Sequence, residues 1–209
     1  MAVDTNGRPA LIFDFGNVLV AWDPWLLYSK LLKDREALDA FLAEVRFFEW
    51  NLEQDKGRPF QEGIKELCTL FPHRSDLIQA YDERWEESIG GPIEESVSIL
   101  RQLKHAGYRL YGLSNWSAEK FNLIRHRYPF FNWFDDIVLS GEVGLVKPDP
   151  RVYELMLEKI GKPASACLFI DDARHNVEVA DRLGFQTIHF TSPEQLRVEL
   201  EKRGVLTCV

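Results

Sequence analysis

Five apolar runs of strand length, at residues 10–13, 108–113, 136–139, 166–170 and 186–190, restrict the fold of this chain more than any other feature. Segments 93–105, 118–127, 150–160 and 175–183 stand between them with apolar residues three and four apart, the spacing of one helix face. A strand that reaches its neighbour through a helix returns parallel to it, so the alternation predicts an α/β fold with a doubly wound parallel sheet. The helix starts are well punctuated. Asp149 and Ser192 each precede a proline at the first helical position, and Gln195 lies three residues after Ser192, the spacing of a capping box.

Between the first two runs the alternation breaks. Asp23-Pro24 opens a helix, and segments 38–48, 60–70 and 77–87 are each helical in pattern. Segment 49–58 is polar and contains Gly57, which suits either a loop facing a site or a plain exposed turn. The chain returns through Gly90-Gly91-Pro92, read as a flexible boundary. The expected organisation is therefore a Rossmann-like core of residues 1–22 and 91–209 with an all-helical cap, 23–90, inserted after the first strand. A chain of 209 residues is long enough to bury a core and carry such an insert, and it shows no internal repeat.

Asp and Glu outnumber Lys and Arg by 33 to 25, giving a formal charge of -8 with no basic patch, so nucleic acid is not an expected partner. No apolar stretch approaches the roughly 18–20 residues of a membrane span, and residues 1–7 lack a basic-then-apolar leader. A cytoplasmic protein with no membrane partner is expected. Cys68, Cys167 and Cys208 are widely spaced and fit free packing thiols better than a metal or redox pair.

Ligands of open parallel sheets bind beyond the carboxyl ends of the strands, so the residues ending each apolar run carry the functional information. Leu11-Ile12-Phe13 runs into Asp14, Leu113 into Ser114-Asn115, and Phe169-Ile170 into Asp171-Asp172, while Lys147 closes the segment after the third run. Three carboxylates cannot share a small site as anions without a compensating cation, and hard oxygen donors suit Mg2+. One carboxylate can attack an electrophile while a metal and a lysine neutralise a phosphoryl group in flight, with Ser114 and Asn115 donating to its oxygens. Each residue alone also has a plain role as a cap, a turn or a solvated charge. Their coincidence at strand ends is what points to phosphoryl transfer.

The segments Asp14-Phe15-Gly16-Asn17-Val18, Leu113-Ser114-Asn115, Lys147-Pro148-Asp149-Pro150 and Phe169-Ile170-Asp171-Asp172 together resemble the four motifs of the haloacid dehalogenase-like hydrolase superfamily. The resemblance spans nearly the whole chain, and the helical insert is similar to the small alpha-helical cap of that superfamily. The first motif most resembles the alpha-D-glucose-1-phosphate phosphatase-like branch. The resemblance implies that Asp14 is the nucleophile, that Mg2+ is the cofactor, and that Asp14, the Gly16 carbonyl and Asp172 hold the metal with Asp171 in support. It further implies that Ser114 and Asn115 bind phosphate, that Lys147 steadies the nucleophile, and that Asn176 supports the site indirectly.

One position departs from the pattern. The usual first motif carries a second acid where this chain has Gly16, and that acid protonates the leaving group. A sugar-1-phosphate, with its more acidic anomeric hydroxyl, suffers least from the loss. The expected function is thus a Mg2+-dependent phosphatase of a small phosphorylated metabolite, a sugar phosphate and within that class a sugar-1-phosphate, with Asp23, His175 or water as alternative proton sources. Two other readings stand beside it. One is a metal-independent 2-haloacid dehalogenase, whose relatives also lack the second acid but carry a Ser-Ser-Asn run in place of Asp171-Asp172; the other is an inactive binding protein of the same fold. Trp22 and Trp116 are candidates to stack on a sugar face, whereas Trp25 is expected to pack.

Overall fold

The structure is a computed structural model that describes residues 7–207; Cys208 and residues 1–6 lie outside the described part. Its strands are β1 (Ala10–Phe13), β2 (Val20–Trp22), β3 (Ile89–Pro92), β4 (Leu110–Ser114), β5 (Asp136–Leu139), β6 (Cys167–Asp171) and β7 (Gln186–His189). Five of them form a parallel sheet in the order β5-β4-β1-β6-β7. The chain builds outward from β1 on one side and then returns to its other side, so the strand order reverses at β1. In open parallel sheets such a reversal marks the place where ligands bind, beyond the carboxyl ends of the strands.

β1 is Ala-Leu-Ile-Phe, wholly apolar and wholly buried, as a central strand covered on both faces must be. Its residues alternate between two core layers. Leu11 and Phe13 join Leu168 and Ile170 in one layer, and Ala10 and Ile12 join Cys167 and Phe169 in the other. The first layer is closed by α6 (Glu94–His105) through Val97, Leu100 and Leu103, and by α11 (Pro193–Lys202) through Leu196 and Leu200. The second is closed by α9 (Pro150–Ile160) through Val152, Tyr153 and Met156, and by α10 (Arg174–Arg182) through Ala180. Each such valine, leucine or methionine side chain contributes about 1.5–3 kcal/mol when fully buried. Asp149 and Ser192 cap α9 and α11, accepting from the N–H groups of Arg151 and Gln195. The Gln195 side chain turns to the Thr191 N–H. Two short helices complete the core: α7 (Ala118–Ile124), which tightens into a 3-10 turn at Arg125–Arg127, and α8 (Ser140–Val143).

The insert comprises α1 (Pro24–Tyr28), α2 (Arg35–Glu44), α3 (Phe47–Asp55), α4 (Phe60–Leu70) and α5 (Ser75–Glu83). Tyr28, Phe41, Phe47, Trp50, Phe60 and Tyr81 fill its centre, with Phe47 meeting Tyr81 edge-on at 4.8 Å. Four expectations change here. The glycine-rich return at 90–92 is an ordered strand, with Val20 opposite Pro92 and Ala21 opposite Gly91 in an antiparallel ribbon. The single helix expected over 38–48 breaks at Arg46, whose φ of 51° lies in the left-handed region. Segment 77–87 likewise splits, α5 giving way to a 3-10 turn at Trp85–Ser88. The polar segment 49–58 is mostly α3. It folds as helix because its polar groups are satisfied: the indole N–H of Trp50 donates to the Gly63 carbonyl at 3.0 Å, and buried Gln54 donates to the Trp50 carbonyl.

Candidate active site

β1 and β6 are in register at Phe13 and Ile170, so Asp14 and Asp171 leave the sheet side by side, and the Asp14 N–H donates to the Ile170 carbonyl. Ser114 ends β4 on the other flank. Its hydroxyl donates to Asp14 Oδ1 at 2.7 Å, and the Phe15 N–H donates to the same oxygen at 2.7 Å. Lys147 Nζ lies 3.0 Å from Asp14 Oδ1, 2.6 Å from Asp171 Oδ2 and 2.9 Å from the Leu113 carbonyl oxygen. The three protons of a fully buried ammonium group therefore have three acceptors. All these contacts at Asp14 fall on Oδ1, which leaves the lone pairs of Oδ2 uncommitted.

The two acids after β6 differ. Asp171 is completely buried and saturated: Oδ1 accepts from the Ala173 N–H and the Asn176 amide, and Oδ2 from Lys147 and the same amide. Asp172 is half-buried, and its backbone carbonyl lies 2.9 Å from His189 Nε2. Burial pushes Asp14 up to about 7, with the charges of Asp171 and Asp172 adding to the rise and Lys147 and the Ser114 hydroxyl opposing it. Asp172 also rises, through burial and the charge of Asp171. Burial pulls Lys147 down, but Asp14 and Asp171 outweigh it and hold the ammonium above its ordinary value.

Asp14, Asp171 and Asp172 each offer a carboxylate oxygen within 4.8 Å of the others. The set is all oxygen, and its three acids face the single ammonium of Lys147, so a hard divalent cation would supply the charge the cluster lacks. Asn176 Oδ1, buried and without a hydrogen-bond partner, is a further acceptor beside the cluster. The donor set fits Mg2+.

Asn115 follows Ser114 at the carboxyl end of β4 and lines a cavity with Gly16. Its Oδ1 accepts from the Lys147 N–H at 2.8 Å and its Nδ2 donates to the Lys147 carbonyl at 2.9 Å, so the side chain fixes the backbone that carries the lysine. Asp23 caps α1 and pairs with Arg35, and His175 is exposed.

Between core and cap lies a cavity of about 90 Å³. Gly16, Asn115, Trp116 and Ser117 line it from the core, and Asn51, Asp55, Phe60 and Tyr81 from the cap. Trp22 and Trp116 both reach it. Trp25 does not, and instead lies under the Arg35 guanidinium, 5.0 Å away. Asp55 is a residue that sequence reasoning passed over. Its Oδ1 accepts from the Ser117 N–H at 3.0 Å, its Oδ2 from the Asn51 amide at 3.0 Å, and its carbonyl from the Ser140 hydroxyl. Next to it Gly57 has a φ of +101°, and a Cβ there would come within 2.9 Å of the Gly141 carbonyl, so glycine permits this junction. The signal in the sequence was an acid two residues before a glycine, in a segment polar enough to pass for a loop.

The haloacid dehalogenase-like hydrolase family matches residues 9–184. The chain belongs to that family. It is 28% identical over 204 residues to a sesquiterpene phosphatase of Aspergillus oryzae, covering 95% of this chain and 97% of the relative. It is 23% identical to a D-ribitol-5-phosphate phosphatase of Bacteroides thetaiotaomicron, covering 91% and 95%. Other relatives are longer, and the chain spans 35% and 19% of two of them. Among solved structures, a HAD family enzyme of Bacteroides thetaiotaomicron in complex with magnesium and inorganic phosphate shares the fold, with a TM-score of 0.71 at 21% identity over 88% of this chain and 94% of that one. This hydrolase thus has the parallel sheet and helical cap region of its family. Among the described residues no helix is long and apolar enough to cross a membrane.

Proposed function

We propose that this hydrolase is a Mg2+-dependent phosphatase that cleaves a small phosphorylated metabolite through an aspartyl phosphate on Asp14. The observation that carries the reading is the meeting of Asp14, Asp171 and Asp172 around one point with a single lysine. A metal-free dehalogenase leaves that excess of negative charge unexplained. The phosphatase relatives that match over nearly the whole of both chains support the same choice.

Asp14 attacks phosphorus through Oδ2, because Oδ1 is held by Ser114, the Phe15 N–H and Lys147. Lys147 opposes protonation of the nucleophile and faces the phosphoryl charge. Asp171 and the Asn115 amide hold Lys147 in position. Asp14, Asp172 and the Gly16 carbonyl would hold Mg2+, with Asp171 behind them, and the ion would supply charge neutralisation at the phosphoryl oxygens. Ser114 and Asn115 border the phosphate position. The core of this unit is 1–22 with 91–209, and the cap is 23–90. The leaving group is a sugar or polyol: Trp22 and Trp116 offer aromatic faces beside Asn51 and Asp55. Gly16 taken alone favours an anomeric phosphate, as in the glucose-1-phosphate branch.

Release of p-nitrophenol from p-nitrophenyl phosphate tests the assignment. Wild type should require Mg2+, and Asp14→Asn should lose about 10³-fold or more. Chloride release from 2-chloropropionate without metal, or activity that survives Asp14→Asn, contradicts it.

A further inference from the structure

We propose that Asp55, at the end of α3 in the cap, supplies the acid that Gly16 lacks and is the catalytic proton donor to the leaving oxygen. The proposal rests on the phosphatase reading. Gly16 and Asp55 line the same cavity, from the core and from the cap. A Cβ built on Gly16 meets no atom within 4 Å, so the space an acid at that position would occupy is open. Among the described residues lining the cavity, Asp55 carries the one carboxyl group; the remaining ionisable groups are Lys120, which pairs with Asp82, and the Tyr81 hydroxyl, which donates to Asn51.

Two further features suit the role. The Ser117 N–H and the Asn51 amide each hold one carboxyl oxygen, which fixes the group while leaving a lone pair on each oxygen for a proton. Burial pushes Asp55 up to about 7, with the Asp14 charge adding and the Ser117 and Asn51 hydrogen bonds opposing, so both of its protonation states are populated near neutrality.

The proton inventory closes. As Asp14 Oδ2 bonds to phosphorus, the bond from phosphorus to the leaving oxygen breaks, its electron pair stays on that oxygen, and the Asp55 proton moves there to give a neutral alcohol. In the second half, the Asp55 carboxylate takes a proton from water as the water oxygen bonds to phosphorus. The bond to Asp14 breaks with its pair returning to the carboxylate, inorganic phosphate leaves, and Asp55 is again protonated. A donor in the cap frees the enzyme from anomeric leaving groups, so phosphates of ordinary alcohols become substrates.

The test is the dependence of kcat/KM on the leaving group. Asp55→Asn should slow both an alkyl phosphate and p-nitrophenyl phosphate, but should widen the ratio between them about 10²-fold, because nitrophenolate departs with little protonation. Gly16→Asp in the Asp55→Asn background should narrow that ratio again. An equal loss on both substrates, which a merely structural latch to Ser117 would give, overturns the proposal. Should Asp55→Asn fail to fold, the wild-type slope decides: a shallow dependence on leaving-group pKa supports a proton donor, and a steep fall overturns it. If wild type releases no phosphate at all, the phosphatase reading itself has failed; if only the ratio is unmoved, Asp55 alone has.

Discussion

Lys147 and Lys120 are both buried ammonium groups near the site, and they are held in different ways. Lys147 joins Asp14, Asp171 and the Leu113 carbonyl, all within the sheet core, where the carboxylates are almost wholly out of water. Lys120 on α7 crosses to the cap, pairing with the side chain and carbonyl of Asp82 and lying 4.3 Å from the centre of the Phe60 ring. Asp82 keeps 26% of its side-chain exposure. The acid cluster is thus held within one set of strand ends, whereas the cap meets the core through polar contacts, Lys120 to Asp82, Ser117 to Asp55, Glu119 to the Phe60 N–H and Arg127 to Glu86, and through the apolar packing of Trp85 on Trp116.

The comparison breaks first at Lys147. Lys147→Met strands two buried carboxylates and should cost about 3–5 kcal/mol in chemical denaturation. Lys120→Met, at a pair open to solvent on one side, should cost less, about 1.5–3 kcal/mol. Equal costs would mean that the cap is fastened as firmly as the core.

A subtler test concerns pH. The carboxyl of Asp55 sits at about 7 in the folded protein against an ordinary 3.8, so between these values the folded state binds more protons than the unfolded one. Its contribution to stability is therefore fullest below pH 3.8 and falls as pH rises toward 7. Melting temperatures of wild type and Asp55→Asn, measured from pH 4 to 7 in chelator, should show wild type losing ground to the variant as pH rises. A difference that does not change with pH contradicts the environment assigned to Asp55.

The same contrast governs what was legible in the sequence. Buried parallel strands are unbroken apolar runs, so β1 and β6 are plain in the sequence, and the acids at their carboxyl ends mark the edge where Asp14 and Asp171 meet. The cap hid its structure in mixed residues. Apolar spacing carries straight through the left-handed turn at Arg46, and α3 looks polar because Gln54 is buried with its hydrogen bonds satisfied. β2 and β3 are short, and two glycines in β3 gave no strand signal. The amide of Asn115 is plain in the sequence, but only the structure reveals that it grips the Lys147 backbone on both sides. Asp55 acquires its position from the folding of the cap onto the core, and its local mark in the sequence is Gly57, two residues on, whose left-handed backbone permits that junction.

The most direct measurement is calorimetric titration of Mg2+ into wild type and into Asp172→Asn at neutral pH. Asp172 is the acid of the cluster least occupied by other partners, whereas Asp171 is saturated by Lys147, Asn176 and the Ala173 N–H. The account predicts one site per chain in wild type and binding at least tenfold weaker in the variant, with the melting temperature in chelator little changed. Wild type that takes up no Mg2+, or a variant that binds it equally well, would contradict the assignment of these carboxylates to a metal centre.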